Sequence, residues 1–324
     1  MASIRYNLTK FMFKHLVRPM MKKATRDPER FIEKQRTKRE KKPLPLSKLH
    51  RKYEFKEEEA CGTPYYIISG AADTGNAGSA STETDAAERG KGKERRLVLY
   101  FFGGGFVMPG NEGDFKFAGE ISDRTGADVW LVWHKLLPDV DGKGLLESVL
   151  CVYREALKRY EAKNITLFGL SSGGSLCLDL CVYISENNPD IPLPGQLVPV
   201  SATIGMPPTE NQYEQMKKIE GKDAMFTAGY VKAAVKMMLL CGANGLLGNS
   251  AGHSWKGFPR IMAFYGTDEI YYAQLDAFKQ KCAEDGVELS TFTGEGMMHT
   301  WLAAGWLPEA EEARNALYKY ISRN

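Results

Sequence analysis

Apolar residues recur along this chain with two periods, and the points where one gives way to the other divide it into elements. Runs of up to nine residues rich in Val, Ile, Leu and aromatics, bounded by glycine or polar residues, predict strands. They fall at 65–69 (YYIIS), 95–102 (RRLVLYFF), 128–135 (DVWLVWHK), around Ile165 and Leu167, at 197–205 (LVPVSATIG), 260–266 (RIMAFYG) and 287–292 (VELSTF). Between them apolar residues recur three and four apart, which predicts helices near 115–125, 145–162, after Leu176, over 270–285 and near 308–322. Strands alternating with helices define an α/β protein with a mostly parallel sheet covered on both faces. In such sheets functional residues gather at the carboxyl ends of the strands.

Three stretches break the alternation. Residues 1–52 read as helices interrupted at Pro19 and Pro28 and ending in a KKPLPL linker, so 1–56 forms a separate helical segment in front of a domain over 57–324. Residues 70–94 are small, polar and glycine-rich, and are expected to be a flexible surface loop. The 54 residues 206–259, too many for a plain crossover, are rich in Met and aromatics. A helical insert at the carboxyl edge of the sheet makes a lid, and methionines repack around varied apolar ligands. Additional core helices are the alternative.

Composition changes this picture in two places. The 324 residues suffice for one large α/β domain with an accessory segment, and no run of about 18 apolar residues predicts a membrane span. No secretory signal is expected at the N-terminus. Cys61, Cys151, Cys177, Cys181, Cys241 and Cys282 show neither CxxC pairs nor a dense framework, which suggests reduced thiols in a cytoplasmic protein. Cys177 and Cys181, four apart, lack a second ligand pair. Core packing is therefore their expected role, and no metal or organic cofactor is expected. Charge is the second place. The formal net charge is +3, yet residues 1–56 hold 18 Lys/Arg against 5 Asp/Glu, leaving 25 against 35 in the remainder. Lys10, Lys14 and Arg18 form a helical stripe beside an apolar face that includes Leu8, Phe11, Met12 and Leu16, and that face is expected to be buried. Docking of the front end on its own acidic body is favoured over weak contact with a membrane surface. Nucleic acid is not expected as a partner, because no binding module accompanies the charge.

The chemistry sits at the strand ends. Gly169-x-Ser171-x-Gly173 follows a strand and precedes a Leu-rich helix. A strand turning sharply into a helix holds its apex residue in a strained conformation, and side chains two positions before and after would collide. Ser171 has glycine at both positions whereas Ser172 has Leu170 on one side, so Ser171 is the candidate nucleophile. The turn FGGGF (102–106) offers backbone N–H groups at Gly104 and Gly105 for a tetrahedral oxyanion, and Ser172 offers a third. Of five histidines, His299 follows the last strand, where the base belongs in the order nucleophile, acid, histidine. Asp268, in YGTDEIYY after the penultimate strand, is the candidate acid, with Glu269 as the fallback.

With these residues in place, the chain resembles the hormone-sensitive-lipase-like branch of the α/β-hydrolases, carboxylesterases and acetyl esterases among them. The resemblance runs over about 97–322, carried by LYFFGGGFVMPG, HKLLPDVDGKGLLES, FGLSSGGS, FYGTDEIYYAQ and GMMHTW. It implies an α/β-hydrolase fold with a cap built from the N-terminal helices and the 206–259 insert. It also implies a triad at Ser171, Asp268 and His299, and an oxyanion hole at Gly104, Gly105 and Ser172. The family usually has His before its three glycines and an Asp-Ala pair around its serine. Phe102, Leu170 and Ser172 stand at those positions here, and Asp268-Glu-Ile-Tyr-Tyr272 replaces the family's Asp-Pro-Leu run with a second Asp. The expectation is a serine esterase, monomeric or homodimeric, acting on small-molecule acyl esters. An amidase or peptidase, a lipid hydrolase, and a non-catalytic ligand-binding homologue are the alternatives.

Overall fold

The computed structural model describes residues 2–41, 44–68, 95–243 and 245–323. The loop expected at 70–94 lies outside them. Eight strands form one sheet: β1 (Lys56–Ala60), β2 (Thr63–Ile68), β3 (Leu97–Phe101), β4 (Asp128–Val132), β5 (Ile165–Leu170), β6 (Gln196–Val200), β7 (Arg260–Gly266) and β8 (Leu289–Gly294). Their order is β1-β2-β4-β3-β5-β6-β7-β8, and every pairing from β4 to β8 is parallel. Only the β1–β2 and β2–β4 pairs are antiparallel.

The central strands read as continuous apolar runs because both faces are covered. Successive residues alternate between two cores: Leu97, Leu99 and Phe101 point into one, Val98 and Tyr100 into the other, all fully buried. Helices α6 (Gly142–Leu157), α7 (Ser172–Asn187) and α10 (Leu275–Asp285) close the first face. Helices α5 (Glu112–Thr125) and α11 (Glu309–Ile321) close the second.

Strand β1 was invisible to hydrophobic pattern, since KEEEA is almost wholly polar and mostly exposed. Its place comes from the turn. Ala60 pairs with Thr63, leaving Cys61 and Gly62 as a two-residue loop with φ of 50° and 67°. Positive φ at both positions is the backbone twist that joins antiparallel strands. Cys61 is bonded to Cys151 on α6 as a disulfide. This corrects the expectation of six reduced thiols, and with it the thiol argument for a reducing compartment. Spacing could not reveal the bridge, because its partners are 90 residues apart and meet only through the sheet. Cys177 and Cys181 are fully buried in the core. Among the described residues no helix is long and apolar enough to cross a membrane.

The front end consists of α1 (Ile4–Met12), a wide turn at Phe13–Val17, α2 (Arg18–Arg26), α3 (Pro28–Lys41) and α4 (Leu46–Leu49). Pro19 does not stop the helix. The preceding turn widens to i→i+5 hydrogen bonding, which accommodates a residue with no N–H. The insert supplies α8 (Glu210–Ile219) and α9 (Ala228–Leu240). Helices α2 and α3 pack on α9, and α8 packs on the turn at Ile270–Gln274. Front end and insert thus meet over the carboxyl edge of the sheet.

The basic stripe docks on the chain itself. Lys10 pairs with Asp268 at 2.5 Å, and Arg18 donates to the carbonyls of Glu220 (2.8 Å) and Asp223 (3.1 Å) just beyond α8. The tyrosine hydroxyl of Tyr6 donates to Gly296 O at 2.7 Å. The expectation for the neighbouring apolar face is overturned: Leu8, Phe11, Met12 and Leu16 are exposed. The cations and Tyr6 have taken the inward side, because they find carboxylate and carbonyl partners there.

Candidate active site

Strand β5 runs straight into α7, and Ser171 at the junction has φ 54°, ψ −121°. A non-glycine residue at positive φ costs about 1–3 kcal/mol and persists only where its surroundings enforce it. The flanking glycines are a steric requirement. A Cβ on Gly169 would lie 2.1 Å from Gly173 O, and one on Gly173 would lie 2.1 Å from Phe101 O and 2.6 Å from Phe102 O. The Ser171 N–H donates to Val200 O at 2.8 Å, tying the bend to β6.

His299 follows β8 and is buried; its Nε2 lies 2.9 Å from Ser171 Oγ. Its Nδ1 lies 2.5 Å from Oε2 of Glu269. The structure therefore brings Ser171 and His299 together and corrects the choice of acid: Glu269, not Asp268, faces the imidazole. The backbone explains why. Asp268 N donates to Met297 O at 3.0 Å, extending the β7–β8 pairing past the strand ends, and its side chain goes outward to Lys10. Glu269 N then turns back to Gly266 O, and the longer side chain reaches under the loop. Oε1 of Glu269 accepts from Gly266 N (2.9 Å) and from Ser201 Oγ (2.9 Å), while Ser201 Oγ accepts from Thr300 N (3.0 Å). Glu269 and Ser201 are buried.

Two residues of this network carried no sequence signal. Ser201, at φ 51° just past β6, couples the acid to the loop of the histidine. Asp223 in the insert accepts from Met225 N (2.6 Å) and Phe226 N (2.8 Å) through one oxygen and from Ile270 N (2.8 Å) through the other. It fastens the insert to the residue after Glu269, and burial pushes its carboxyl above the usual range.

Gly104, Gly105 and Ser172 line the same cavity as Ser171 and His299. Gly104 sits at φ 140°, where a Cβ would meet Met108 O at 2.2 Å, and Gly105 at φ 61°. The loop is closed by Met108 N donating to Gly104 O (3.0 Å) and Leu137 N to Phe106 O (2.9 Å). Phe102, at the position of the family histidine, is fully buried and stacks on His134 with ring centroids 4.1 Å apart and planes 14° apart. Burial pushes the His134 pKa down to about 4, so its ring is neutral, with Nδ1 donating to Lys135 O at 3.0 Å. Aromatic stacking supports this loop where the family has a polar side chain.

The cavity has a volume of about 420 Å³, within the range of small-molecule sites. Its walls come from every part of the chain: Phe13 and Met21 from the front end, Met206, Met225, Phe226, Tyr230 and Met238 from the insert, and Met108 and Met298 from the sheet edge. Among the described residues no lysine or arginine lines it. Asp114, the one acidic residue among the described residues that line it, accepts from Tyr100 Oη (2.8 Å) and Asn111 N (2.7 Å), and burial raises its pKa. Among the described residues no group of three or more His, Cys, Asp or Glu is arranged to hold a metal ion.

A bent strand–serine–helix junction, with a histidine from the loop after the last strand and an acid from the loop before it, defines a class. The chain belongs to the alpha/beta hydrolase fold family, whose model matches residues 98–303. Within that class it is similar to Esterase LipU of Mycobacterium tuberculosis, 27% identical over 236 residues that cover 70% of this chain and 77% of LipU. Carboxylesterase/phospholipase LipF of the same organism is 26% identical over 236 residues, 70% of this chain and 61% of LipF. Among solved structures, a mutant of the esterase E40 superposes with a TM-score of 0.75 at 20% identity, covering 99% of each chain. An esterase from the bacterial hormone-sensitive lipase family gives 0.71 at 20% identity, covering 96% of this chain and 97% of that one. These likenesses extend over nearly the whole of each chain.

Proposed function

We propose that the protein is a serine carboxylesterase that hydrolyses uncharged short- to medium-chain acyl esters through an acyl-enzyme. The observation that carries the reading is the unbroken chain Ser171 Oγ–His299–Glu269 at 2.9 and 2.5 Å, with His299 and Glu269 buried and Ser171 open to the cavity. The Glu269 carboxylate accepts a hydrogen bond from the Nδ1–H, which leaves Nε2 free to accept from the serine hydroxyl. As Ser171 Oγ attacks the ester carbonyl, its proton passes to Nε2. Glu269, held by Gly266 N and Ser201 Oγ, stabilises the imidazolium without taking the proton. The carbonyl oxygen becomes an oxyanion, and the N–H groups of Gly104, Gly105 and Ser172 are the donors offered to it; losing one such donor typically costs about 3–4 kcal/mol. His299 then protonates the departing alcohol. Water, deprotonated by His299 in turn, attacks the acyl carbonyl and releases the acid, restoring Ser171.

The cavity supports an uncharged substrate. Its wall is rich in methionine and aromatic residues with no lysine or arginine among the described residues, and a carboxylate or phosphate would be desolvated there without a cation to pair with. The names of the relatives, Esterase LipU and Carboxylesterase/phospholipase LipF, support an ester as the bond cleaved. Labelling with a fluorophosphonate probe, with Ser171→Ala as control, tests the nucleophile: wild type should be labelled and the variant silent. A series of p-nitrophenyl esters from acetate to palmitate beside a p-nitroanilide tests the class. Turnover should be highest on the shorter esters. A wild type silent to the probe, or an anilide cleaved as fast as the esters, overturns the reading.

A further inference from the structure

The helical run from Ile4 to Met20 is inverted relative to an ordinary surface helix. Three of its cations, Lys10, Lys14 and Arg18, reach partners on the body of the chain, and a row of six large apolar side chains faces solvent. Ile4 is 80% exposed, Leu8 60%, Phe11 60%, Met12 53%, Leu16 69% and Met20 37%. Three further large apolar residues are exposed among the described residues, and one of them, Trp306, donates its indole N–H to Thr9 Oγ1 on this run. The row is continuous over 17 residues, about 25 Å at 1.5 Å per residue. Leaving it in water is costly, and such a patch marks an interaction face.

Charge identifies the occupant. Residues 2–26 contain seven Lys or Arg and no Asp or Glu. Lys10, Lys14 and Arg18 are satisfied by Asp268 and the carbonyls around α8. Arg5, Lys22, Lys23 and Arg26 are exposed and have no ion-pair partner among the described residues. An apolar row flanked by unpaired cations matches an anionic bilayer surface, where the row enters the acyl boundary and the cations meet headgroups. A second copy of the same segment would bring the same sign of charge to the contact. The row also flanks the reaction cavity, which Phe13 of this run and Trp306 both line.

We propose that the outer face of residues 4–26 docks the protein in the plane of an anionic lipid surface, with the cavity mouth beside the membrane. The inference is independent of the esterase reading, because its test measures binding and not turnover. The full chain is sedimented with phosphatidylcholine vesicles, with and without about one-third phosphatidylserine. Wild type should pellet with the anionic vesicles and much less with the neutral ones, and raising NaCl from about 50 to about 500 mM should weaken this severalfold. The variant L8S/F11S/L16S changes exposed positions only, and its melting curve checks the fold. It should lower the partition at least tenfold. K22E/R26E, which leaves the apolar row untouched, should lower it severalfold on anionic vesicles alone. Failure of wild type to pellet, or equal pelleting of wild type and both variants, overturns the proposal. A concentration-dependent dimer abolished by L8S/F11S/L16S, without vesicle binding, would assign the face to a second copy instead.

Discussion

The two neighbouring carboxylates after β7 give the sharpest test of the site. In Glu269→Gln the shape is kept and only the charge and one acceptor are lost. Ser201 Oγ and Gly266 N both donate to Oε1, so the amide oxygen of the new glutamine takes that position. Its NH2 group is then placed at Oε2, 2.5 Å from His299 Nδ1. An N–H pointing at Nδ1 forces the imidazole proton onto Nε2, where it faces Ser171 Oγ, and the base is lost. Wrong-tautomer substitutions of this kind lower kcat by about 10⁴, or about 5.4 kcal/mol at 1.36 kcal/mol per decade. Asp268→Asn removes only a partly exposed pair with Lys10, the side chains being 25% and 13% exposed. Such pairs contribute about 0–1 kcal/mol of stability, and kcat should stay within about threefold of wild type. The assay is steady-state hydrolysis of p-nitrophenyl butyrate by both variants, with melting curves to confirm folding. If Asp268→Asn is the inactive variant, or if Glu269→Gln keeps a tenth or more of kcat, the assignment of Glu269 is wrong.

Three further expectations follow from particular contacts. Gly173→Ala should destabilise by at least about 3 kcal/mol in thermal or urea unfolding, because its Cβ meets the backbone of a central strand at 2.1 Å; Gly62→Ala, with nothing within 4 Å and only a φ of 67°, should cost about 1–2 kcal/mol. Stability should contain an acid-sensitive component from His134. Above pH 6.5 the ring is neutral folded and unfolded, and as pH falls from 6.5 towards about 4 only the unfolded chain takes up the proton. That costs roughly 3 kcal/mol across the interval, and the difference between wild type and His134→Phe in urea titrations at pH 7 and pH 4.5 should show it. Non-reducing peptide mapping should find Cys61 linked to Cys151, and Cys61→Ser should lower stability by up to about 4–5 kcal/mol, the loop-closure value for a 90-residue separation.

Local sterics were legible in the chain. The apolar runs of β3 to β7 and the glycines on either side of Ser171 follow from constraints acting within a few residues. Ser171 and His299 could therefore be singled out as the candidate nucleophile and base without coordinates. The sequence favoured Asp268 with Glu269 as the fallback, whereas in the structure Glu269 is the carboxylate at the imidazole. That choice depends on Met297 O holding the Asp268 backbone and on Lys10, 258 residues away, taking its carboxylate. The same holds for Ser201 and Asp223, which act through partners 68 and 47 residues distant. Strand β1 and the Cys61–Cys151 bridge depend on a turn and a packing contact that hydrophobic periodicity does not record. The first helix shows the limit most plainly. Its amphipathic pattern fixed that it has two faces. Which face turns inward was settled by where the carboxylates and carbonyls of the folded body lay, since a long-range ion pair or hydrogen bond forms only after the sheet has assembled its partners.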